Sequence, residues 1–139
     1  MLKVGLGRVD ITPEVGGWMD GMHRSHGSSG IHDALKARAV AFDDGKTKAV
    51  IVSCEIVGLS NELVQSVRTK AEKKTGIPAN NIFLACSHTH SGPATIGYFN
   101  PPDEKYLASL DGKLLKAIEQ AVHKMVPALL GIGQGEEKP

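Results

Sequence analysis

Two histidines separated by one residue, His88 and His90, are the side chains of this sequence best suited to chemistry. Because side chains of an extended chain alternate in direction, both imidazoles project to the same side, and either or both can meet one metal ion. Neutral imidazole is a common zinc ligand, and a catalytic zinc takes three protein ligands and a water whose pKa it lowers to about 7. The turn Ser91-Gly92-Pro93 would hold the pair in place.

The His-x-His spacing alone leaves two interpretations open. Two loop histidines that only hydrogen-bond the backbone have the same spacing as a pair of metal ligands. The chain lacks the His-x-His-x-Asp-His continuation of binuclear hydrolases. The motif therefore needs partners from elsewhere.

Four further histidines are weaker candidates. His32 precedes an apolar run, where a polar side chain next to buried structure needs a partner, so we expect it near the site, supporting a ligand or contacting substrate. His23 and His26 lie in a long loop and are expected at the surface. His123 is expected to be a solvated histidine at the end of a helix.

Cys86 offers a different chemistry, since a cysteine nucleophile with His88 as its base is a mechanism that the residues allow. The apolar run around Cys86 predicts a raised thiol pKa and a place in the core, which favours an inert cysteine. Cys54 also lies within an apolar run. Without a CxxC pair, the two cysteines indicate neither a disulfide scaffold nor a cysteine zinc site.

The elements that must position these residues follow an α/β pattern. Apolar runs predict strands at residues 3–11, 35–42, 48–56, 82–86 and 128–133. Helical periodicity predicts helices over residues 60–74 and 103–125, and Asp43-Asp44-Gly45-Lys46 predicts a tight hairpin turn. The order β-β-β-α-β-α-β indicates a mixed β-sheet with flanking helices, a layered α/β sandwich, in a single domain.

The histidine motif directly follows the apolar run 82–86, which is typical of a parallel strand buried on both faces. Loops at the carboxyl ends of strands in open α/β sheets are where ligand sites form. Residues 14–30 and 92–102 are predicted loops, and loops as long as the first are usually functional or disordered. Position therefore favours a functional role for His88.

Composition argues against several classes of partner. Sixteen Lys and Arg against fifteen Asp and Glu leave a net charge of +1, which provides no electrostatic footprint for nucleic acid. Aromatic residues make up only 4%, too few for the stacking platforms of single-strand binders. Gly5-Leu6-Gly7 lacks the spacing of a dinucleotide-binding fingerprint.

Targeting signals are equally sparse. No window approaches the roughly 18 apolar residues of a membrane span, and the first residues contain no apolar stretch of signal-peptide length. We therefore expect no integral membrane segment, and a cytoplasmic protein if Met1 is the native start.

Four stretches of the sequence resemble the neutral and alkaline, non-lysosomal ceramidase family. They are residues 4–13, 30–33 with 37–39, 52–55 and, above all, the run Ser-His-Thr-His-Ser-Gly-Pro at 87–93. The resemblance implies a hydrolase of the ceramide amide bond, with one zinc ion held by two histidines, a glutamate and a tyrosine. It implies that His88 is the first histidine ligand and that His90 supports the site or contacts substrate.

The other zinc ligands of the family lie much further along, so the resemblance predicts that this chain is the N-terminal part of a larger catalytic domain. Residues 134–139 are then expected to be a cut rather than a natural end, with the catalytic residues beyond Pro139 and the chain inactive alone. The expected substrate is an N-acyl lipid or a related amide. The alternative from another class is a non-catalytic binding or assembly domain on the same scaffold.

Overall fold

A computed structural model describes residues 1–137, which form one mixed sheet and two α-helices. The strands are β1 (Lys3–Asp10), β2 (Lys36–Asp43), β3 (Lys48–Cys54), β4 (Ile82–Cys86) and β5 (Val126–Pro127). The helices are α1 (Asn61–Thr75) and α2 (Glu104–His123), and a short 3₁₀ turn covers Ala79–Asn81. Within these residues the sheet order is β4-β3-β2-β1-β5. The predicted order of elements and the mixed α/β sheet are confirmed.

Strands β1, β2 and β3 form an antiparallel meander, and β4 adds to β3 in parallel. The predicted turn joins β2 to β3: Gly45 has φ +89°, and Asp44 Oδ1 accepts hydrogen bonds from the backbone N–H groups of Lys46 and Thr47 at 2.8 and 2.7 Å. Since β3 and β4 run in the same direction, α1 is the crossover that connects them. Their carboxyl ends therefore lie side by side at the same end of the sheet.

Helix α1 begins and ends where local signals predict. The Ser60 hydroxyl accepts a hydrogen bond from the backbone N–H of Leu63 at 3.2 Å, which satisfies one of the free donors of the first turn. At the other end the Gly76 N–H donates to the Glu72 carbonyl at 2.8 Å. Val67 is fully buried, so the predicted apolar face is the one that packs on the core.

Helix α2 packs unusually close to β1 because both surfaces lack large side chains. A Cβ added to Gly7 would stand 2.0 Å from the carbonyl oxygen of Ala117, and one added to Gly5 would stand 1.9 Å from that of Ala121. Glycine in a strand often marks such a close backbone approach. These glycines thus serve helix packing.

A single core lies between the two helices and one face of the sheet. Its largest fully buried side chains are Ile11, Ile56, Ile77, Ile82, Leu110, Leu114 and Ile118. Tyr106 joins this core, and its hydroxyl donates to the Ile11 carbonyl at 2.7 Å, while burial raises the pKa of its phenol. Across residues 1–137 neither helix combines the length and the apolar character that crossing a bilayer requires.

The prediction that strand β4 is buried on both faces is wrong, because one of its faces is exposed in the part of the chain that the structure describes. Ile82 points into the core, whereas Phe83 is 58% exposed. The reason is that the helices cover one face of the sheet, while the other face presents exposed side chains such as Leu6 and Ile51. A continuous apolar run in the sequence does not reveal whether helices cover one face of the strand or both.

The last predicted strand, residues 128–133, is also wrong. The strand is Val126–Pro127, and the predicted helix 103–125 ends at His123. Pairing stops here because β5 runs antiparallel to β1: Pro127 lies opposite Lys3, and the Ala128 N–H donates to the Leu2 carbonyl at 3.0 Å, so the residues after Ala128 pass the start of β1. Residues 129–132 include the exposed side chains of Leu129, Leu130 and Ile132.

We expect Gly7→Ala to destabilise the fold, because its methyl group would meet the Ala117 carbonyl oxygen. Overpacking of this kind costs about 1–3 kcal/mol of the free energy of unfolding. Gly112→Ala is the matched control, since Gly112 lies in α2 with no atom within 4 Å of an added Cβ, and it should stabilise by up to about 1 kcal/mol. Urea unfolding measures both, and equal shifts would contradict the packing argument.

Candidate histidine site

The histidine loop follows β4 directly and is held by the residues that follow β3. Ser87 donates its backbone N–H to the Cys54 carbonyl at 2.9 Å, and His88 donates to the Ile56 carbonyl at 3.1 Å. His88 has φ +59°, and it is the only non-glycine residue with positive φ among residues 1–137. A left-handed conformation of this kind costs about 1–2 kcal/mol and persists only where the surroundings enforce it.

The His88 ring is oriented as a metal ligand would be. Its Nδ1 lies 2.8 Å from the Val57 carbonyl oxygen. Because a carbonyl can only accept, Nδ1 carries the proton, and Nε2 of the neutral ring keeps its lone pair. Metal-binding histidines usually make this bond with their other ring nitrogen. His88 is exposed, so Nε2 is open to a ligand.

His90 lies next to His88, but the alternation of an extended chain is not the reason, because β4 ends at Cys86 and His88 has a left-handed backbone. The two ring centroids are 5.1 Å apart, and the rings meet edge to face at 70°. His90 is half-buried, and its carbonyl oxygen accepts a hydrogen bond from Arg24 Nη2 at 2.9 Å. The structure therefore brings both predicted histidines together.

The first long loop packs against the loop that carries the histidines. Met19 and Pro93 form an isolated β-bridge, and the Ala94 N–H donates to the Trp18 carbonyl at 2.8 Å. The Asn100 side chain donates to the Met19 carbonyl at 2.8 Å. The two predicted loops, 14–30 and 92–102, thus form one interlocked layer over the carboxyl ends of β3 and β4.

Asp20 joins the two loops from the inside. It is 0% exposed, and its Oδ1 accepts the backbone N–H groups of Gly21 at 3.0 Å and Phe99 at 3.1 Å. Its Oδ2 accepts the Tyr98 N–H at 3.3 Å. A buried carboxylate is tolerated when donors satisfy it in this way. Sequence reasoning missed Asp20, since the length of the loop was the only signal.

The other predicted histidines lie outside this pair. His32 lines a cleft of about 450 Å³ together with Thr89 and Ser91, whereas His88 and His90 are not among its lining residues. Its side chain is 97% exposed, and its Nδ1 contacts Asp33 Oδ2 at 2.7 Å. Its role toward a ligand or substrate stays a prediction. The remaining histidines, His23, His26 and His123, are exposed, the last at the end of α2.

The two cysteines are free thiols that face each other across β3 and β4. A hydrogen bond between the sulfurs raises the pKa of Cys54, which burial raises further, and lowers the pKa of Cys86. The predicted rise for Cys86 is therefore wrong, because the thiol of Cys54 donates to its sulfur. Cys86 has Cys54 as its partner, while the His88 ring has Val57.

Glu55 follows β3 directly, just before the carbonyls of Ile56 and Val57 that bond His88, and its side chain bonds to β2. Its Oε2 accepts the Lys36 N–H at 2.7 Å, and its other oxygen pairs with Arg38. The hydrogen bond from the Arg38 side chain is the main cause that holds the pKa of Glu55 below its usual value, although partial burial opposes it.

The histidine pair is an incomplete metal site by itself. In the part of the chain that the structure describes, no three side chains of His, Cys, Asp or Glu lie together as a metal site would need. The fold and the site define a class: a mixed-sheet α/β domain with a histidine loop after a parallel strand.

A family model described as neutral/alkaline non-lysosomal ceramidase, N-terminal, matches residues 2–138. The chain belongs to this family, as the resemblance of its motifs implied.

Known relatives agree in sequence and in fold. The neutral ceramidase of Pseudomonas aeruginosa is 28% identical over 148 residues, which cover 96% of this chain. A crystal structure of neutral ceramidase from the same organism superposes over 91% of this chain with a TM-score of 0.80 at 26% identity. A structure of a ceramidase complexed with C2 superposes with a TM-score of 0.78, also at 26% identity. The chain spans only 22% of the length of these relatives.

We expect Asp20→Asn to lower the free energy of unfolding by about 1.5–3 kcal/mol, the range for hydrogen bonds to a charged group. Asparagine cannot replace both oxygens, because one becomes an NH₂ group that faces a backbone N–H donor. Asp33→Asn is the control, since the Asp33 side chain is 89% exposed and its change should stay within about 0.5 kcal/mol. If urea unfolding gives both variants the same stability, Asp20 is not a buried anchor.

Glu55 should make stability depend on pH in the acid range. Because the fold lowers its pKa, the ionised carboxylate stabilises the protein above the usual glutamate value of 4.5, and this contribution is lost as the pH falls through the lower folded-state pKa. Glu55→Gln should therefore be less stable than wild type at pH 7, with a difference that narrows below pH 4.5. Urea unfolding across this range measures it, and a difference independent of pH would contradict the pairing.

Proposed function

We propose that the histidine loop contributes to the zinc site of an amide hydrolase that acts on N-acyl lipids such as ceramide. Membership of the ceramidase family supports the hydrolase class. The zinc ion, the ligand role of His88 and the lipid substrate are the parts that we add.

The single observation that carries the proposal is the hydrogen bond between His88 Nδ1 and the Val57 carbonyl, at 2.8 Å. It orients an exposed ring and leaves Nε2 as the free lone pair that zinc binds in imidazole. The left-handed backbone of His88 also supports a functional role, because strain of this kind concentrates at functional sites. His88 therefore fits the role of one zinc ligand, and the other ligands are not among the residues that the structure describes.

A zinc ion bound here would lower the pKa of a water molecule, which supplies the nucleophile for amide hydrolysis. His88 would provide one ligand through Nε2. His90, whose ring meets that of His88 at a centroid distance of 5.1 Å, would provide a hydrogen-bonding group beside the metal, for the substrate or the reacting water. The remaining ligands would come from parts of a longer protein, so we expect this segment alone to be inactive.

Exposed apolar side chains on the loop that follows the histidines support a lipid substrate. Tyr98 is 78% exposed, Phe99 is 47% exposed and Ile96 is 42% exposed. The backbone N–H groups of Tyr98 and Phe99 are bonded to Asp20, which anchors this part of the loop. Apolar side chains held outward next to a polar site suit an amide that carries an acyl chain.

We expect His88→Ala, in the complete enzyme to which this segment belongs, to lose bound zinc and amide hydrolysis. Hydrolysis should fall by more than about 100-fold, since even the outer partners of metal ligands are worth about 10–100-fold. His123→Ala is the control, because His123 is exposed at the end of α2. Metal analysis and release of a labelled fatty acid from ceramide measure the two effects.

The outcome of the same assays separates the alternatives. Zinc content and hydrolysis that survive in His88→Ala would refute the assignment. Activity that resists chelators but disappears in Cys86→Ser would instead identify a cysteine hydrolase. A wild-type protein that neither binds zinc nor hydrolyses amides would indicate a binding or assembly domain.

A further inference from the structure

Residues 20–24, which we name the support segment, contact His90 at two points. Gly21 lies against the ring: a Cβ at this position would stand 2.3 Å from Cγ and 2.4 Å from Cδ2 of His90. Arg24 reaches the backbone, because its Nη2 donates to the His90 carbonyl at 2.9 Å. The ring and the main chain of His90 are therefore both contacted by one short segment of the other loop, through Gly21 and Arg24.

We propose that the support segment is a positioning element that sets the orientation of His90 beside His88. The inference rests on the proposed function, because His90 matters for chemistry only if His88 holds the metal. It assigns the first long loop a role as a fixed part of the site instead of a lid that opens.

Gly21 is required by both its conformation and its contact. Its φ of +95° lies in the left-handed region that side chains avoid, and its Cα hydrogens are the only group small enough to face the His90 ring at this distance. The side of the ring that carries Cγ and Cδ2 thus packs against the backbone of the support segment. Any side chain at Gly21 must push the ring away.

The support segment is itself held at two points, Asp20 and Met22. Asp20, which is fully buried, accepts backbone N–H groups of Tyr98 and Phe99 from the loop that continues beyond the histidines. The Asn100 side chain donates to the Met22 carbonyl at 3.0 Å. Because these bonds are made within the protein and partly out of water, they resist displacement of the segment. His90 is therefore backed by a rigid layer.

The test compares Gly21→Ala with Gly16→Ala in the full chain. Both glycines have a positive φ, +95° and +99°, so both variants carry a similar backbone cost of about 1 kcal/mol. Gly16 has no atom within 4 Å of an added Cβ, whereas Gly21 has the His90 ring. Only Gly21→Ala should shift the ring resonances of His90 in ¹H–¹³C spectra and weaken the cross-relaxation between the rings of His88 and His90.

Arg24 supplies an independent variant if Gly21→Ala fails to fold. Arg24→Met removes the donor to the His90 carbonyl and should shift the same ring resonances, while Arg24→Lys, which keeps a donor, should shift them less. The resonances of His123 should stay unchanged in every variant. Equal His90 spectra in Gly21→Ala and Gly16→Ala, or an unaltered His90 in Arg24→Met, would overturn the proposal.

These spectra need neither zinc nor substrate, so they separate the two ideas. If the His90 resonances shift as expected while the His88→Ala variant keeps its zinc, the positioning role of the support segment is supported and the zinc assignment is refuted. An unshifted His90 in an enzyme that depends on His88 refutes the support segment alone.

Discussion

The parallel pairing of β3 with β4 is the interaction on which the site depends. The pairing extends past the last strand residues, since Ser87 and His88 donate to the carbonyls of Cys54 and Ile56. The next carbonyl, that of Val57, accepts from the His88 ring. The carbonyls at the end of β3 and just after it thus continue the sheet, offset the cost of a left-handed residue and orient an imidazole.

The two long loops over the carboxyl ends of β3 and β4 contain no helix or long strand, and hydrogen bonds from polar side chains hold them in place. A loop that packs against the protein must find partners for its backbone groups. Here a buried carboxylate, Asp20, and an amide, Asn100, supply several of them. The arrangement leaves large apolar side chains such as Tyr98 facing outward.

Local signals predicted the fold well where neighbouring residues decide the outcome. The N-terminal cap of α1 and the turn between β2 and β3 follow from side chains that bond the backbone a few residues away. The strand predicted at residues 128–133 is wrong because β5 runs antiparallel to β1, so the residues after Ala128 pass the start of β1 and find no strand to pair with. The prediction that β4 is buried on both faces is wrong because the helices cover only one face of the sheet.

The sequence by itself determined the family, the order of elements and the position of the histidine motif, because each depends on residue types within a short stretch of chain. Only the tertiary structure decided which nitrogen of His88 is free, that Asp20 is an anchor and that Gly21 supports His90. The His88–Val57 bond joins residues 31 positions apart, and the Asp20–Phe99 bond joins residues 79 apart. Such contacts exist only once the chain has folded, so no local pattern of side chains announces them.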